Sequence, residues 1–496
     1  MGRKKTILLI AVLSLFAISG IYFTNADAQY RAAPAKKGVQ AEKSVKADTC
    51  YGCHPVIKEL HSSGKHSKNN CSNCHKELDK HLKAPGPDTR PVTDTSWEAC
   101  GQCHKAQYES FMKEAYHRPA RDEKSQLTNR APNPFWDKLM AGHGFTKEHN
   151  LTRSHNWMLI DHLIVDRAYG GRFQGKNSWQ YLFEKGKAWD VLKDNYPDVK
   201  EHKAFIPQSA AAANPVCLQC KSQDHILKWA YMGDKNPKAK WDRTSKVVDL
   251  ARDLKHPINC FACHDPHSAQ PRVVRDGLIE AVVDKEGGTY PYDKEKSRKI
   301  TMKKVMFRDF RAIGILSKPD SNLMCAQCHV EYNCNPGHNP ETGEAVGMGD
   351  RRTNFFPWVN VFDYKAKMDE AKFRDFKHAV TGASIAKLQH PETETFWGSK
   401  HERAGVECKD CHMPKIKKGG KNYTWHGQKS ARYMKKDTCV KCHPYWSEKE
   451  ADYQIDAIQN YIKGKLTKAE FWLGQLIDAY AKAKAAGVSD ETLKEA

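Results

Sequence analysis

The sequence predicts a mainly α-helical fold with few short strands and long C-terminal helices, in which groups bound to the chain form the core. Three observations lead to this prediction. Cysteine pairs with two intervening residues recur along the whole chain. The first three pairs fall between Cys50 and His104, too close together for a conventional hydrophobic core. Near the C-terminus, apolar residues from Ile455 to Tyr480 recur at the three- and four-residue spacing of a helix.

Sixteen of the seventeen cysteines form CxxC pairs, and a basic residue follows each pair directly. The pairs are Cys50/Cys53, Cys71/Cys74, Cys100/Cys103, Cys217/Cys220, Cys260/Cys263, Cys325/Cys328, Cys408/Cys411 and Cys439/Cys442, and the bases are His54, His75, His104, Lys221, His264, His329, His412 and His443. This is the pattern of covalent haem attachment, in which the thiols add to the vinyl groups and the next residue ligates iron. Zinc ribbons lack the trailing base. We therefore expect eight haem c groups.

Lys221 is the one lysine among these bases, and it marks the haem at which we expect chemistry. Imidazole is neutral and basic at pH 7, whereas a lysine must lose its proton before it can ligate iron. An altered fifth ligand favours a sixth position that is open to substrate. A point variation in an inactive attachment site is the alternative.

Histidines outside the motifs are numerous enough to give every histidine-attached haem a second axial ligand. The preferred candidates are His66, His117, His155, His225, His401 and His426. For each one, an ordinary surface or core histidine is the alternative.

Four segments follow from the order of these features. Residues 1–28 form a predicted signal peptide, with Arg3, Lys4 and Lys5 before an apolar run and small residues before the cleavage point; an uncleaved anchor is the alternative. Residues 29–130 form an N-terminal three-haem domain and residues 131–450 a catalytic five-haem domain that contains the CxxCK motif. Stretches 273–283 and 354–362 have the composition of short strands or extended connectors. Residues 451–496 form a C-terminal helical segment, which we expect to be truncated.

The formal net charge is +21. Part of this charge is expected to pair with haem propionates, and the remainder suits the attraction of a small anion into a cleft. An exported protein meets no chromosome, so nucleic acid is not an expected partner.

Several stretches resemble the octahaem cytochrome c nitrite reductases: CAQCHVEYNC (325–334), KLQHPETETFW (387–397), CHMP (411–414) and VDRAYGGRFQ (165–174). The first three also resemble the pentahaem ammonia-forming enzymes. The resemblance covers nearly the whole mature chain. It implies a periplasmic enzyme that reduces nitrite to ammonium with six electrons at the Lys221 haem, and hydroxylamine and sulfite also fit a small polar pocket.

We also expect a periplasmic or membrane-bound electron donor. A homo-oligomer is expected with the helix over about 451–484 at a subunit contact, because Phe471, Trp472 and Tyr480 are more aromatic surface than a solvated helix needs; a helix that covers haem edges within one subunit is the alternative.

The resemblance also implies the roles of individual residues. Arg167, Tyr332 and His390 would surround the substrate above the Lys221 haem. Calcium would be bound by Glu331, the carbonyls of Tyr332 and Lys387, and the side chain of Gln389, all of which offer hard oxygen ligands. A thioether would join Tyr332 to Cys334.

Two other functions stay open at this stage. An octahaem hydroxylamine oxidoreductase would run in the opposite direction, but such enzymes keep histidine where this chain has Lys221. A non-catalytic electron conduit would have eight haems with both axial positions filled.

Overall fold

The computed structural model describes residues 45–116, 129–130, 136–141, 148–149, 155, 158–160, 215–246, 249–250, 253–285, 289–292, 299–388 and 390–494. The predicted signal peptide, His117, Arg167 and Gln389 lie outside these residues.

Helices dominate this part of the chain. The α-helices are Ala47–Tyr51, Pro55–Ser62, Leu78–Lys83, Trp97–Gly101, Lys105–Tyr116, Trp136–Leu139, Met158–Ile160, Cys260–Cys263, Asp276–Ile279, Ser321–Ala326, Tyr364–Glu370, Glu392–Phe396, Lys400–Arg403, Cys408–His412, Cys439–Cys442, Glu448–Ala485 and Asp490–Lys494. Short 3-10 turns cover Cys71–Asn73, Pro87–Thr89, Cys217–Cys220, Gln223–Leu227, Tyr231–Gly233, Arg351–Asn354, Val361–Asp363 and Ala431–Tyr433, and a π-helix covers Glu280–Lys285.

The strands are short and antiparallel. Five two-stranded ribbons pair His75–Lys76 with Val92–Thr93, Asn129–Arg130 with Glu148–His149, Gly337–His338 with Ala345–Val346, Phe376–Lys377 with Ser384–Ile385, and Lys415–Lys418 with Lys421–Thr424. One three-stranded sheet places Arg311–Leu316 between Arg272–Val273 and Met302–Phe307. The prediction of short strands or extended connectors over 273–283 is therefore wrong for most of that stretch. Most of its apolar residues are buried on the helix Asp276–Ile279 and the π-helix Glu280–Lys285, and β-branched composition alone does not distinguish a buried helix from a strand. In 354–362 an extended connector joins the turns Arg351–Asn354 and Val361–Asp363.

The cysteine pairs lie on short helical turns for a geometric reason. Residues three apart on a helical turn project from one face, so both sulfur atoms can reach the same haem edge. Backbone hydrogen bonds close these turns, as where the N–H of His264 donates to the Cys260 carbonyl at 2.9 Å. Caps begin several of them: the side chain of Asp320 accepts from the N–H of Leu323 at 3.0 Å.

The chain divides into two compact units. The described part of the first unit comprises residues 45–54 and 69–94, with two cysteine motifs, and the second comprises residues 55–68 and the chain from Thr95 onward. The predicted haem domains with boundaries at residues 130 and 450 follow motif positions rather than contacts, and they stay a prediction.

The second unit contains a core of apolar side chains. Leu218, Trp229, Leu278, Leu316 and Trp358 are among its buried members. The sequence predicts covalent haems as the apolar filling, and this core shows that side chains contribute as well. It surrounds the Cys217–Cys220 turn, so the unusual motif lies in the best-packed part of the second unit.

A 38-residue helix, Glu448–Ala485, is the longest in the described part of the chain. It begins with a capping box, in which Ser447 and Glu450 each accept the other's backbone N–H. The predicted helical periodicity is confirmed for this one helix, and the helix Asp490–Lys494 that follows is short. Across the described residues, no helix combines the length and hydropathy needed to cross a membrane.

Gly277→Ala tests the packing beside the Cys217–Cys220 turn. A Cβ atom at this position would overlap the ring of Phe356, and overpacking of this kind costs about 1 to 3 kcal/mol. We expect a lower midpoint of thermal unfolding, followed by circular dichroism. Gly347→Ala is the matched control because its Cβ would meet nothing within 4 Å; equal midpoints for the two variants would contradict the packing.

Candidate functional site

The turn Cys217–Cys220 is almost fully buried. Leu218 has no exposed surface, and Cys220 is 2% exposed. Cys334, the cysteine outside the motifs, lies against this turn with its Sγ 3.7 Å from the Sγ of Cys217. Because Cys334 follows Tyr332 by two residues, this contact brings the Tyr332 segment next to the motif that ends at Lys221.

The second cysteines of the attachment motifs differ in how far the polypeptide covers them. Cys220 is buried by protein atoms, whereas the polypeptide leaves Cys53, Cys74, Cys103 and Cys442 exposed. The role of these cysteines in binding haem stays a prediction.

Tyr332 and His390 lie together, as their predicted roles require. The two rings are nearly parallel, with centroids 5.8 Å apart and an interplanar angle of 8°. Phe356 stacks on Tyr332 at 5.7 Å. Burial raises the pKa of the Tyr332 phenol well above its usual value, so the phenol keeps its proton at neutral pH. Arg167, predicted to complete this group, lies outside the described residues.

Buried oxygen atoms gather beside this pair, in the region of the predicted calcium site. The Glu331 side chain accepts the backbone N–H of His390 at 3.1 Å, and the Glu331 N–H donates to Glu394 at 3.0 Å. The second carboxylate oxygen of Glu394 has no hydrogen-bond partner among the described residues, and burial raises the pKa of Glu394 to about 7. The Lys387 carbonyl accepts from the Tyr364 hydroxyl at 2.9 Å. Oxygen donors of this kind fit calcium.

Within the described part of the chain, five pairs of histidine rings face each other at similar separations. Their centroids are 6.1 Å apart for His54 and His81, 6.0 Å for His66 and His104, 6.0 Å for His155 and His329, 6.5 Å for His264 and His426, and 6.2 Å for His401 and His443. Two metal–nitrogen bonds of about 2 Å, one on each side of an iron, give a centroid separation of about 6 Å. The residues present therefore fit haem iron with two axial histidines.

Hydrogen bonds orient several of these rings. The Nδ1 of His66 donates to the carbonyl of Pro266 at 2.8 Å, and the Nδ1 of His426 donates to the carbonyl of Thr424 at 2.7 Å. The Nδ1 of His155 lies 2.9 Å from the side-chain oxygen of Gln428. A proton held on Nδ1 leaves the lone pair of Nε2 for iron, the arrangement usual for metal-binding histidines.

The predicted distal ligands differ in what their rings face. His66, His155, His401 and His426 each face a motif histidine, although their role as ligands stays a prediction. His225 faces the ring of Trp229 at 5.6 Å instead, and neither of its ring nitrogens has a partner among the described residues. Burial lowers its pKa to about 3, so it is neutral and able to ligate iron.

His81 is a candidate ligand that the sequence analysis missed. It lies on the helix Leu78–Lys83, faces His54, and has Nδ1 3.4 Å from the Thr89 hydroxyl. One signal was available in the sequence, since His81 is the only histidine between the second and third cysteine motifs.

Comparison with known proteins identifies the family. Residues 172–496 match the sequence profile of cytochrome c552. The chain belongs to the cytochrome c552 family. Membership in this family implies haem c as a cofactor, and the assignment of a haem to each CxxC motif stays a prediction.

Curated relatives of this cytochrome c552 family member are longer than the regions they share with it. Cytochrome c-552 of Parabacteroides distasonis is 31% identical over 263 residues, which are 51% of this chain and 45% of the relative. Cytochrome c-552 of Bacteroides fragilis (strain ATCC 25285) is 27% identical over 414 residues, or 80% of this chain and 66% of the relative. In the first case the chain spans less than half of the relative's length.

A solved structure shares the fold. The cytochrome c nitrite reductase of Desulfovibrio desulfuricans, described with two calcium sites in its catalytic subunit, matches with a TM-score of 0.53 and 22% identity. The match covers 79% of this chain and 73% of the other.

His81→Ala tests the ring pairs by spectroscopy. If iron lies between His54 and His81, loss of the second ligand converts one haem from low spin to high spin. Electron paramagnetic resonance of the oxidised protein should show a new high-spin signal. His256→Ala is the control, because His256 pairs with Asp224 at 3.0 Å. An unchanged spectrum of the His81 variant would remove His81 as a ligand.

Proposed function

We propose that this cytochrome c552 family protein is a periplasmic octahaem nitrite reductase that reduces nitrite to ammonium with six electrons. The observation that carries the proposal is the stacked pair of Tyr332 and His390 next to the Cys217–Cys220 turn. Two side chains able to donate protons thus lie beside the one motif whose iron ligand is lysine. The fold shared with a nitrite reductase supports the same conclusion.

The candidate residues would have separate roles in the reaction. The Lys221 haem, when bound, supplies an iron that binds nitrite and passes electrons to it. Each nitrite consumes six electrons and eight protons, and the phenol of Tyr332 and the ring of His390 can deliver protons as the N–O bonds break. Arg167 would stabilise the anion. A thioether between Tyr332 and Cys334 stays a prediction; Cys334 also contacts Cys217.

Calcium is proposed beside the proton donors. Glu331, the carbonyls of Tyr332 and Lys387, and Gln389 would bind it. The backbone N–H of His390 contacts the Glu331 side chain, so a cation held by Glu331 would also fix the catalytic imidazole. A divalent charge would further offset the buried carboxylate of Glu394.

The other seven haems would act as relays between the electron donor and the Lys221 haem. The facing histidines would supply closed axial positions, of the kind that favours electron transfer over substrate binding. The donor would be periplasmic or membrane-bound, which agrees with the predicted export signal.

A homo-oligomer is proposed through the helix Glu448–Ala485. Ile458, Tyr461, Leu466 and Trp472 lie exposed along it, and a continuous apolar surface of this kind marks an interaction site more often than a solvated face.

Lys221→His tests the proposed function directly. The reduced wild-type protein should convert nitrite to ammonium, measured by ammonium assay. The variant should keep its haem while nitrite turnover falls at least tenfold, because a histidine-ligated iron loses the proposed activation. Lys228→His is the matched control, since Lys228 pairs with Asp253 at 2.5 Å. Full turnover by the Lys221 variant would refute the role of the lysine.

The wild-type reaction also discriminates between the functions left open by the sequence. Hydroxylamine oxidation without nitrite reduction would indicate an octahaem hydroxylamine oxidoreductase. Absence of any high-spin haem, together with no nitrite-dependent oxidation of the reduced protein, would indicate an electron conduit.

Removal of calcium tests the proposed metal site. Treatment with EGTA should lower both nitrite turnover and the thermal unfolding midpoint, because His390 and Tyr332 lose the ion that orders them. Added calcium should restore both, and magnesium should not, since it demands a tighter octahedral site. Glu331→Gln should make the protein insensitive to EGTA. Full turnover in protein shown by elemental analysis to be calcium-free would exclude this role.

A further inference from the structure

Arg275 is a buried cation to which the proposed function gives no role. It lies between the strand Arg272–Val273 and the helix Asp276–Ile279, and it is 1% exposed. A buried guanidinium is costly unless an anion or a full set of hydrogen bonds compensates it.

Its position is next to the candidate site. One amino group, Nη1, donates to the carbonyl of Val216 at 3.2 Å, directly before Cys217. The guanidinium lies over the Tyr332 ring at 5.1 Å and over the Phe356 ring at 5.2 Å. Arg275 therefore joins the CxxCK turn to the proposed proton donor.

The rest of the guanidinium is unsatisfied. Nε and Nη2 have no hydrogen-bond partner among the described residues. These two nitrogens form one edge of the planar group, and their parallel N–H bonds match two oxygens of a planar anion. The nearest carboxylate in sequence, Asp276, does not fill this edge, because it accepts from the indole of Trp229 at 3.2 Å and from the N–H of Gly277 at 2.9 Å.

Other buried arginines in the described part of the chain differ. Arg243 bonds to Asp234 and to the carbonyls of Met232, Met348 and Gly349. Arg272 bonds to Asp265 and the Phe261 carbonyl. Arg311 uses both terminal nitrogens on carbonyls and leaves only Nε free. Among these side chains, only Arg275 presents an open two-nitrogen edge.

We propose that the Nε/Nη2 edge of Arg275 binds a planar two-oxygen anion at the Lys221 haem. Two sources supply this chemistry, namely nitrite in the pocket and a haem propionate carboxylate. The nitrite source rests on the proposed function, whereas the propionate source does not.

The experiment compares Arg275→Lys, which keeps the charge but loses the paired edge, with Arg275→Gln, which loses both. Arg243→Gln is the control for loss of a buried arginine. Nitrite is titrated into the oxidised proteins while the spectrum of the high-spin haem is followed. Propionate bending bands are recorded by resonance Raman spectroscopy before nitrite is added. Haem content is measured for each variant.

A nitrite dissociation constant raised about ten- to a hundredfold in both Arg275 variants, with unchanged propionate bands, supports nitrite as the anion. Shifted bands in nitrite-free protein support the propionate. Unchanged affinity and unchanged bands in Arg275→Lys overturn the proposal, even if Arg275→Gln fails to incorporate haem. If the wild-type protein forms no ammonium, the proposed function is refuted but the role of Arg275 is not. The Raman comparison then still tests whether Arg275 binds a haem propionate.

Discussion

The candidate site depends on the packing of the Cys217–Cys220 turn against the segment that carries Tyr332. Cys334 contacts Cys217 at one end of this interface, and Arg275 connects Val216 to the Tyr332 ring at the other. Apolar side chains surround both segments, so neither can move without opening the core. The distance between the Cys217–Cys220 turn and the side chains of Tyr332 and His390 is therefore set by core packing rather than by a loop.

Several buried polar atoms have no hydrogen-bond partner within the described part of the chain. They include Nε and Nη2 of Arg275, one carboxylate oxygen of Glu394 and both ring nitrogens of His225. A protein chain avoids such groups because each costs free energy comparable to a lost hydrogen bond. Their presence on a cytochrome c552 chain is explained if haem, metal ion or substrate anion supplies the missing partners.

A bound haem would also explain the facing histidine rings at other motifs. The ring centroids of each pair are 6.0 to 6.5 Å apart, the separation expected if the two rings are axial ligands of one haem iron. Hydrogen bonds to oxygen atoms orient the rings of His66, His155 and His426. If these rings ligate iron, little rearrangement would be needed when haem binds.

The sequence by itself determined the features that depend on local chemistry. Haem attachment needs only two thiols three residues apart and a following base, so all eight motifs and the exception at Lys221 could be read directly. The helix Glu448–Ala485 follows from local periodicity and a cap. Tertiary structure alone decided which groups meet over long separations in the chain, such as His155 and Gln428, and which attachment thiols are buried. The sequence offers His81 as a candidate but not its pairing with His54, and the open edge of Arg275 has no local pattern, because such contacts and missing partners arise only when separate segments pack together.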